Sequence, residues 1–219
     1  MDFVLARRNM IDGQLRPNQV LHPAVLDALE RVPRERFVPA DRRAMAYSDE
    51  AVPLGDGRYL MEPMVLGRLL QAARPLETDR VLVIGAGTGF STAILSHVVA
   101  VVVGLESDRR LAEQARTNLE ALGMVNAAIV EGPLAGGQGG KGAWSLVVID
   151  GAVSTLPRSI TETMTEDGRL VAVLGGGRPG VTGQAVIGRM SGGIYSSRVL
   201  FDAGTPELPG FAVAAGFVF

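Results

Sequence analysis

Cysteine is absent from the 219-residue sequence, which excludes disulfide scaffolding, thiolate nucleophiles and thiolate metal sites together. Histidine is nearly as scarce: His22 and His97 are the only two, too few and too far apart in sequence to suggest a zinc cluster. No metal site is therefore expected. An excess of basic charge is also missing, with 21 Lys and Arg against 23 Asp and Glu and a net charge of −2. Proteins that read a polyanion carry a basic surplus on one face, so no nucleic-acid partner is expected. The longest apolar stretch, Val98 to Leu105, falls far short of the roughly 20 residues that cross a bilayer. The opening Met1-Asp2-Phe3-Val4 has no basic region followed by an apolar one. These absences lead to the expectation of a cytoplasmic protein without a membrane partner.

The residues that are present suit one folded domain, with 47% hydrophobic and 20% charged side chains. Three zones are legible. Residues 1–76 read as helical: Ala24 to Val32 places apolar side chains at helical spacing before Pro33, and Pro63 suits the first turn of a second helix. Residues 77–175 alternate apolar runs with helical patterns. The runs are Val81–Ile84, Val101–Leu105, Ala128–Val130, Leu146–Ile149 and Leu170–Leu174. Asp108 can cap a helix that ends at Gly123. Such alternation implies a mostly parallel sheet with right-handed crossovers. Residues 176–219 are glycine-rich and then strand-like over Ala185–Met190, Tyr195–Phe201 and Phe211–Phe219, which reads as an antiparallel edge. Gly132 to Gly142, with six glycines, reads as a mobile loop.

The strongest chemical signal is Val81-Leu82-Val83-Ile84-Gly85-Ala86-Gly87-Thr88-Gly89-Phe90-Ser91. A strand runs into a glycine bend that opens a helix, where missing Cβ atoms and unpaired N–H groups admit a ligand. A dinucleotide loop has glycine at its first, third and sixth positions; here Phe90 takes the sixth. The spacing resembles instead the loop that holds S-adenosyl-L-methionine (SAM) in class I methyltransferases. Glu106 closes the next strand, where a carboxylate can accept both hydroxyls of a ribose. Glu131 and Gly132 after the third strand, and Asp150 after the fourth, stand where an open α/β sheet binds ligands. For each of these last residues a plain turn role is equally open.

Over most of its length the sequence resembles the protein-L-isoaspartate O-methyltransferases. The resemblance rests on Met10-Ile11-Asp12-Gly13-Gln14-Leu15-Arg16, Val32-Pro33-Arg34-Glu35-Arg36-Phe37-Val38-Pro39, Ala46-Tyr47-Ser48-Asp49, the glycine bend, Leu111 to Gly123, and Asp167-Gly168-Arg169-Leu170-Val171. It implies a Rossmann-like class I methyltransferase domain, 1–219, with a helical N-terminal extension. SAM would be the cofactor and S-adenosyl-L-homocysteine the product. Gly85, Ala86, Gly87, Thr88, Gly89, Glu106, Glu131, Gly132 and Asp150 would contact the cofactor, and isoaspartyl proteins or peptides would be the substrate. The family's Gly-Gln-Thr-Ile-Ser-x-Pro motif is altered here to Gly57-Arg58-Tyr59-Leu60-Met61-Glu62-Pro63. Met61 stands where the family has a functional serine, and methionine cannot donate a hydrogen bond to a carboxylate. Arg58 and Tyr59 are the replacement donors the sequence offers. The same motif leaves two alternatives open: a methyltransferase with a different acceptor, and a SAM-binding protein without repair activity.

Overall fold

The computed structural model describes residues 1–140, 142–176 and 182–211. A seven-stranded sheet forms its centre. The strands are β3 (Arg80–Ile84), β4 (Val101–Glu106), β5 (Ala127–Glu131), β6 (Trp144–Val153), β7 (Met164–Leu174), β8 (Gly183–Ser191) and β9 (Ile194–Ala203), in the spatial order β5-β4-β3-β6-β7-β8-β9. β1 (Val52–Gly55) and β2 (Arg58–Leu60) form a separate hairpin. β3 through β7 pair in parallel, whereas β7–β8 and β8–β9 are antiparallel. The mostly parallel sheet with an antiparallel edge is the arrangement that the apolar runs predict.

The reason lies in burial on both faces. Val81 to Ile84 and Leu146 to Ile149 are fully buried, as central parallel strands require. Each such side chain contributes roughly 1.5–3 kcal/mol on leaving water. The helices α1 (Phe3–Met10), α2 (Pro23–Arg31), α3 (Pro63–Ala73), α4 (Phe90–Ser96), α5 (Arg109–Ala121) and α6 (Arg158–Thr161) complete the fold. Asp108 caps α5 by accepting from the Leu111 N–H at 3.0 Å, and Gly123 beyond its end has φ +68°, both as read from the sequence. α3 begins on Pro63 and ends at Arg74 in the left-handed region.

One expectation changes. Residues 1–76 are not all helical: Gly55, Asp56 and Gly57 have φ +100°, +50° and +71°, and this turn folds the flanking residues into the β1–β2 hairpin. Arg34–Phe37 and Ala40–Met45 form only 3₁₀ turns, because Pro33 and Pro39 deny the chain a continuous run of amide donors. In the glycine-rich stretch from Gly132, Leu134 is buried in a short 3₁₀ turn, and the Trp144 indole N–H donates to the Gln138 carbonyl. The expected last strand, Phe211–Phe219, lies beyond Phe211 outside the described residues.

Candidate active site at the switch point of the sheet

From β3 the chain proceeds to β4 and β5 on one side, then crosses to β6 and β7 on the other. In open α/β sheets the crevice outside the carboxyl ends of the strands at such a reversal is where ligands bind. β3 delivers the bend Gly85–Gly89 to this place, β4 delivers Glu106, and β6 delivers Asp150 and Gly151.

Gly85, Gly87 and Gly89 have φ +80°, +55° and +95°, backbone that a side chain disfavours. The N–H groups of Gly85 and Ala86 donate to the Leu105 carbonyl at 2.9 and 3.1 Å. Gly87 N–H donates to Glu106 at 2.7 Å. The Thr88 hydroxyl donates to the Phe37 carbonyl at 2.6 Å, and the Thr88 carbonyl accepts from Asn118 Nδ2 at 3.0 Å. Thr88 thus ties the bend to the N-terminal segment and to α5, and Gly89 packs on Ala115 of the same helix.

Glu106 is completely buried. Besides Gly87, the N–H groups of Ser107 and Asp108 donate to it at 2.8 and 2.9 Å. Both terminal nitrogens of the Arg58 guanidinium complete its shell, Nη2 at 2.8 Å and Nη1 in the closer contact. Arg58 is itself only 4% exposed. The sequence places these residues in separate roles, Glu106 on a ribose and Arg58 on an acceptor carboxylate. The structure joins them as one buried, forked ion pair.

The remaining residues singled out in the sequence fall at different depths. Tyr59 is 40% exposed, while Met61 is buried in the hydrophobic core with its carbonyl accepting from Arg34 Nη2 at 2.6 Å. Glu131 is exposed at the end of β5, in register with Glu106. The Gly132 N–H donates to the Glu106 backbone carbonyl at 3.0 Å.

Asp150 is buried and accepts from the Ser91 hydroxyl at 2.5 Å, leaving Oδ1 without a partner among the described residues. Burial pushes its carboxyl from the ordinary 3.8 up to about 6, against the opposing pull of Ser91, Arg34 and Arg58. The native protein therefore holds a proton that the unfolded chain has already released, so stability is lost as pH rises from about 4 to about 6. Asp150→Asn is expected to remove that slope. In urea unfolding at pH 4 and pH 7, the variant should lose roughly 2–3 kcal/mol less than the parent between the two conditions. Equal losses would show that Asp150 titrates normally.

The sequence alone assigns Arg34 and Ser91 no role in this crevice. Arg34 is buried over the Phe90 ring at 4.9 Å, donates from Nε to the Ala46 carbonyl at 2.6 Å, and keeps Nη1 unpartnered among the described residues. Its signal is the motif Val32–Pro39. Ser91 was signalled by its place after the bend. Thr205 and Leu208 lie in the Pro-rich stretch 201–211, which reads as a loop between the final strands that could contribute to an acceptor pocket, and nothing local ties that loop to the bend after β3.

Leu208 fills the crevice. A Cβ built on Gly85 would meet its Cδ1 at 2.7 Å, and one on Gly151 would meet its Cγ at 2.6 Å. The Ala152 N–H donates to the Pro206 carbonyl at 2.9 Å and the Leu208 N–H to the Ala152 carbonyl at 2.8 Å, so the segment lies along β6 like a short extra strand. Between Arg58, Tyr59, Met61, Asp150 and residues 205–208 a cavity of only about 10 Å³ remains, room for about one water. Sites for drug-sized molecules measure about 300–1,000 Å³. A SAM molecule does not fit this cleft as it is folded, because Leu208 takes the space beside the bend and Arg58 takes the carboxylate.

The family model for protein-L-isoaspartate(D-aspartate) O-methyltransferase matches residues 6–184. A protein-L-isoaspartate O-methyltransferase of Roseiflexus sp. (strain RS-1) is 37% identical over 176 residues, 80% of each chain. One from Methanoregula boonei is 35% identical over 170 residues, 78% of each. Among solved structures, a protein-L-isoaspartate O-methyltransferase superposes with a TM-score of 0.81 at 20% identity, covering 94% of this chain and 67% of that one. A putative one from Plasmodium falciparum, in complex with S-adenosyl-L-homocysteine, gives 0.76 at 16% identity, covering 96% and 99%. Fold, glycine bend and sequence agree: the chain belongs to the protein-L-isoaspartate O-methyltransferase family of SAM-dependent O-methyltransferases.

Proposed function

We propose that the chain methylates the side-chain carboxylate of L-isoaspartyl residues in damaged cytoplasmic proteins, the repair reaction of its family. The observation that carries this is the match to the family over residues 6–184, which includes the bend Gly85–Gly89 and Glu106 at the switch point of the sheet. The chemistry asks little of the protein beyond placement. A carboxylate acceptor has an ordinary pKa near 4 and is ionised at neutral pH, so no general base is required. What must be supplied is alignment of the nucleophile and exclusion of water from it. Tyr59, 40% exposed beside the crevice, would donate its phenol hydroxyl to an incoming carboxylate.

A second reading, the same scaffold acting on a different acceptor, is favoured by Met61. The resemblance sets Met61 at the family's serine position, and its side chain is buried in the core.

Methyl-labelled SAM, an isoaspartyl peptide and its normal aspartyl counterpart test the proposal. Base-labile label is expected on the isoaspartyl peptide alone. Equal labelling of both peptides, or none on either with SAM demonstrably bound, would sink it; the second outcome would favour another acceptor.

A further inference from the structure

We infer that Thr205–Phe211 and Arg58 form an internal occupant of the SAM cleft, so that cofactor binds only by displacing them. The inference rests on the methyltransferase reading above and adds a restraint on it. Two parts of the fold, the hairpin residue Arg58 and the segment after β9, converge on the crevice. Arg58 offers the Glu106 carboxylate the same paired donors that two ribose hydroxyls would offer. Leu208 seats against Gly85 and Gly151, the glycines at the carboxyl ends of β3 and β6, and closes the close-approach space that the bend otherwise leaves. The two hydrogen bonds with Ala152 hold the segment in register along β6.

The segment is built to stay in place. Thr205, Leu208 and Phe211 are buried, the Ser154 hydroxyl donates to the Phe211 carbonyl, and Pro206 and Pro209 restrict the backbone between them. It is also imperfectly satisfied. Glu207 Oε1 and Arg58 Nε are buried without a hydrogen-bond partner among the described residues. Leaving such groups unpaired disfavours the docked state, and release into water would satisfy both. The segment lies past residue 184, where the match to the family model ends.

Calorimetry with S-adenosyl-L-homocysteine as the probe tests this on the full-length chain, its Arg58→Gln and Leu208→Ala variants, and the double variant, each first checked for folding by circular dichroism. The double variant is expected to bind at least tenfold more tightly than the parent, with each single variant in between. Hydrogen exchange supplies a second reading on the parent: saturating probe should accelerate exchange at the Ala152 and Leu208 amides, whose partners lie across the bridge. A gain of less than tenfold, with the parent binding well and those amides unchanged, would overturn the occupant and leave the methyltransferase reading standing. A folded double variant that binds no probe would overturn both.

Discussion

Glu106→Ala is expected to lower the unfolding free energy of the cofactor-free protein by about 3–5 kcal/mol, the usual cost of breaking a buried ion pair from one side. The carboxylate accepts from two nitrogens of Arg58 and from the N–H groups of Gly87, Ser107 and Asp108. Its removal orphans all of these donors and leaves a buried guanidinium without its partner. At about 2–4 °C per kcal/mol for a chain of this size, Tm should fall by roughly 10 °C. Arg58→Met combined with Glu106→Gln removes both charges and should cost less than Glu106→Ala alone, because an uncompensated buried charge is worse than none. Urea and thermal unfolding of the three proteins decide the matter. A loss below about 1 kcal/mol for Glu106→Ala, as for an exposed pair, would mean that the pair is not formed in solution.

Gly85→Ala should destabilise by about 2–5 kcal/mol, from two separable causes. The backbone at φ +80° costs a residue with a Cβ about 1–2 kcal/mol. The new methyl also meets Leu208 at 2.7 Å, an overpacking worth about 1–3 kcal/mol. In a Leu208→Ala background the second cause disappears, and the penalty for Gly85→Ala should shrink to its backbone part. Gly151→Ala should show the same dependence on Leu208, its Cβ falling 2.6 Å from that residue's Cγ. The non-additivity is the measurement, since residues in contact couple and distant ones do not. Identical penalties in both backgrounds would place Leu208 outside the crevice in solution, and would remove the occupant with it.

Much of the architecture is readable in the sequence. Val81–Ile84 and Leu146–Ile149 announce strands buried on both faces, and Asp108 and Gly123 mark the ends of a helix because capping is local chemistry. The bend Gly85–Gly89 declares itself because only glycine tolerates its backbone. The hairpin of Val52–Gly55 and Arg58–Leu60 was hidden in a zone that read as helical, since so short a pair is set by its turn and by packing on neighbouring elements rather than by periodicity. Arg34 was visible only as part of a motif. That it is buried over Phe90 depends on how the N-terminal segment docks against α4.

The family and the sheet are legible in motifs and apolar runs spread along the sequence, and the position of Glu106 is too, because it depends on residue types within one strand–turn–helix unit. Which partner Glu106 holds was decided by the tertiary structure. Arg58 stands 48 positions away and Leu208 more than 100, and no local pattern encodes a meeting at that range. Only the closed fold brings hairpin, bend and C-terminal segment into one crevice, where burial turns a charge match and a leucine of fitting shape into a filled site.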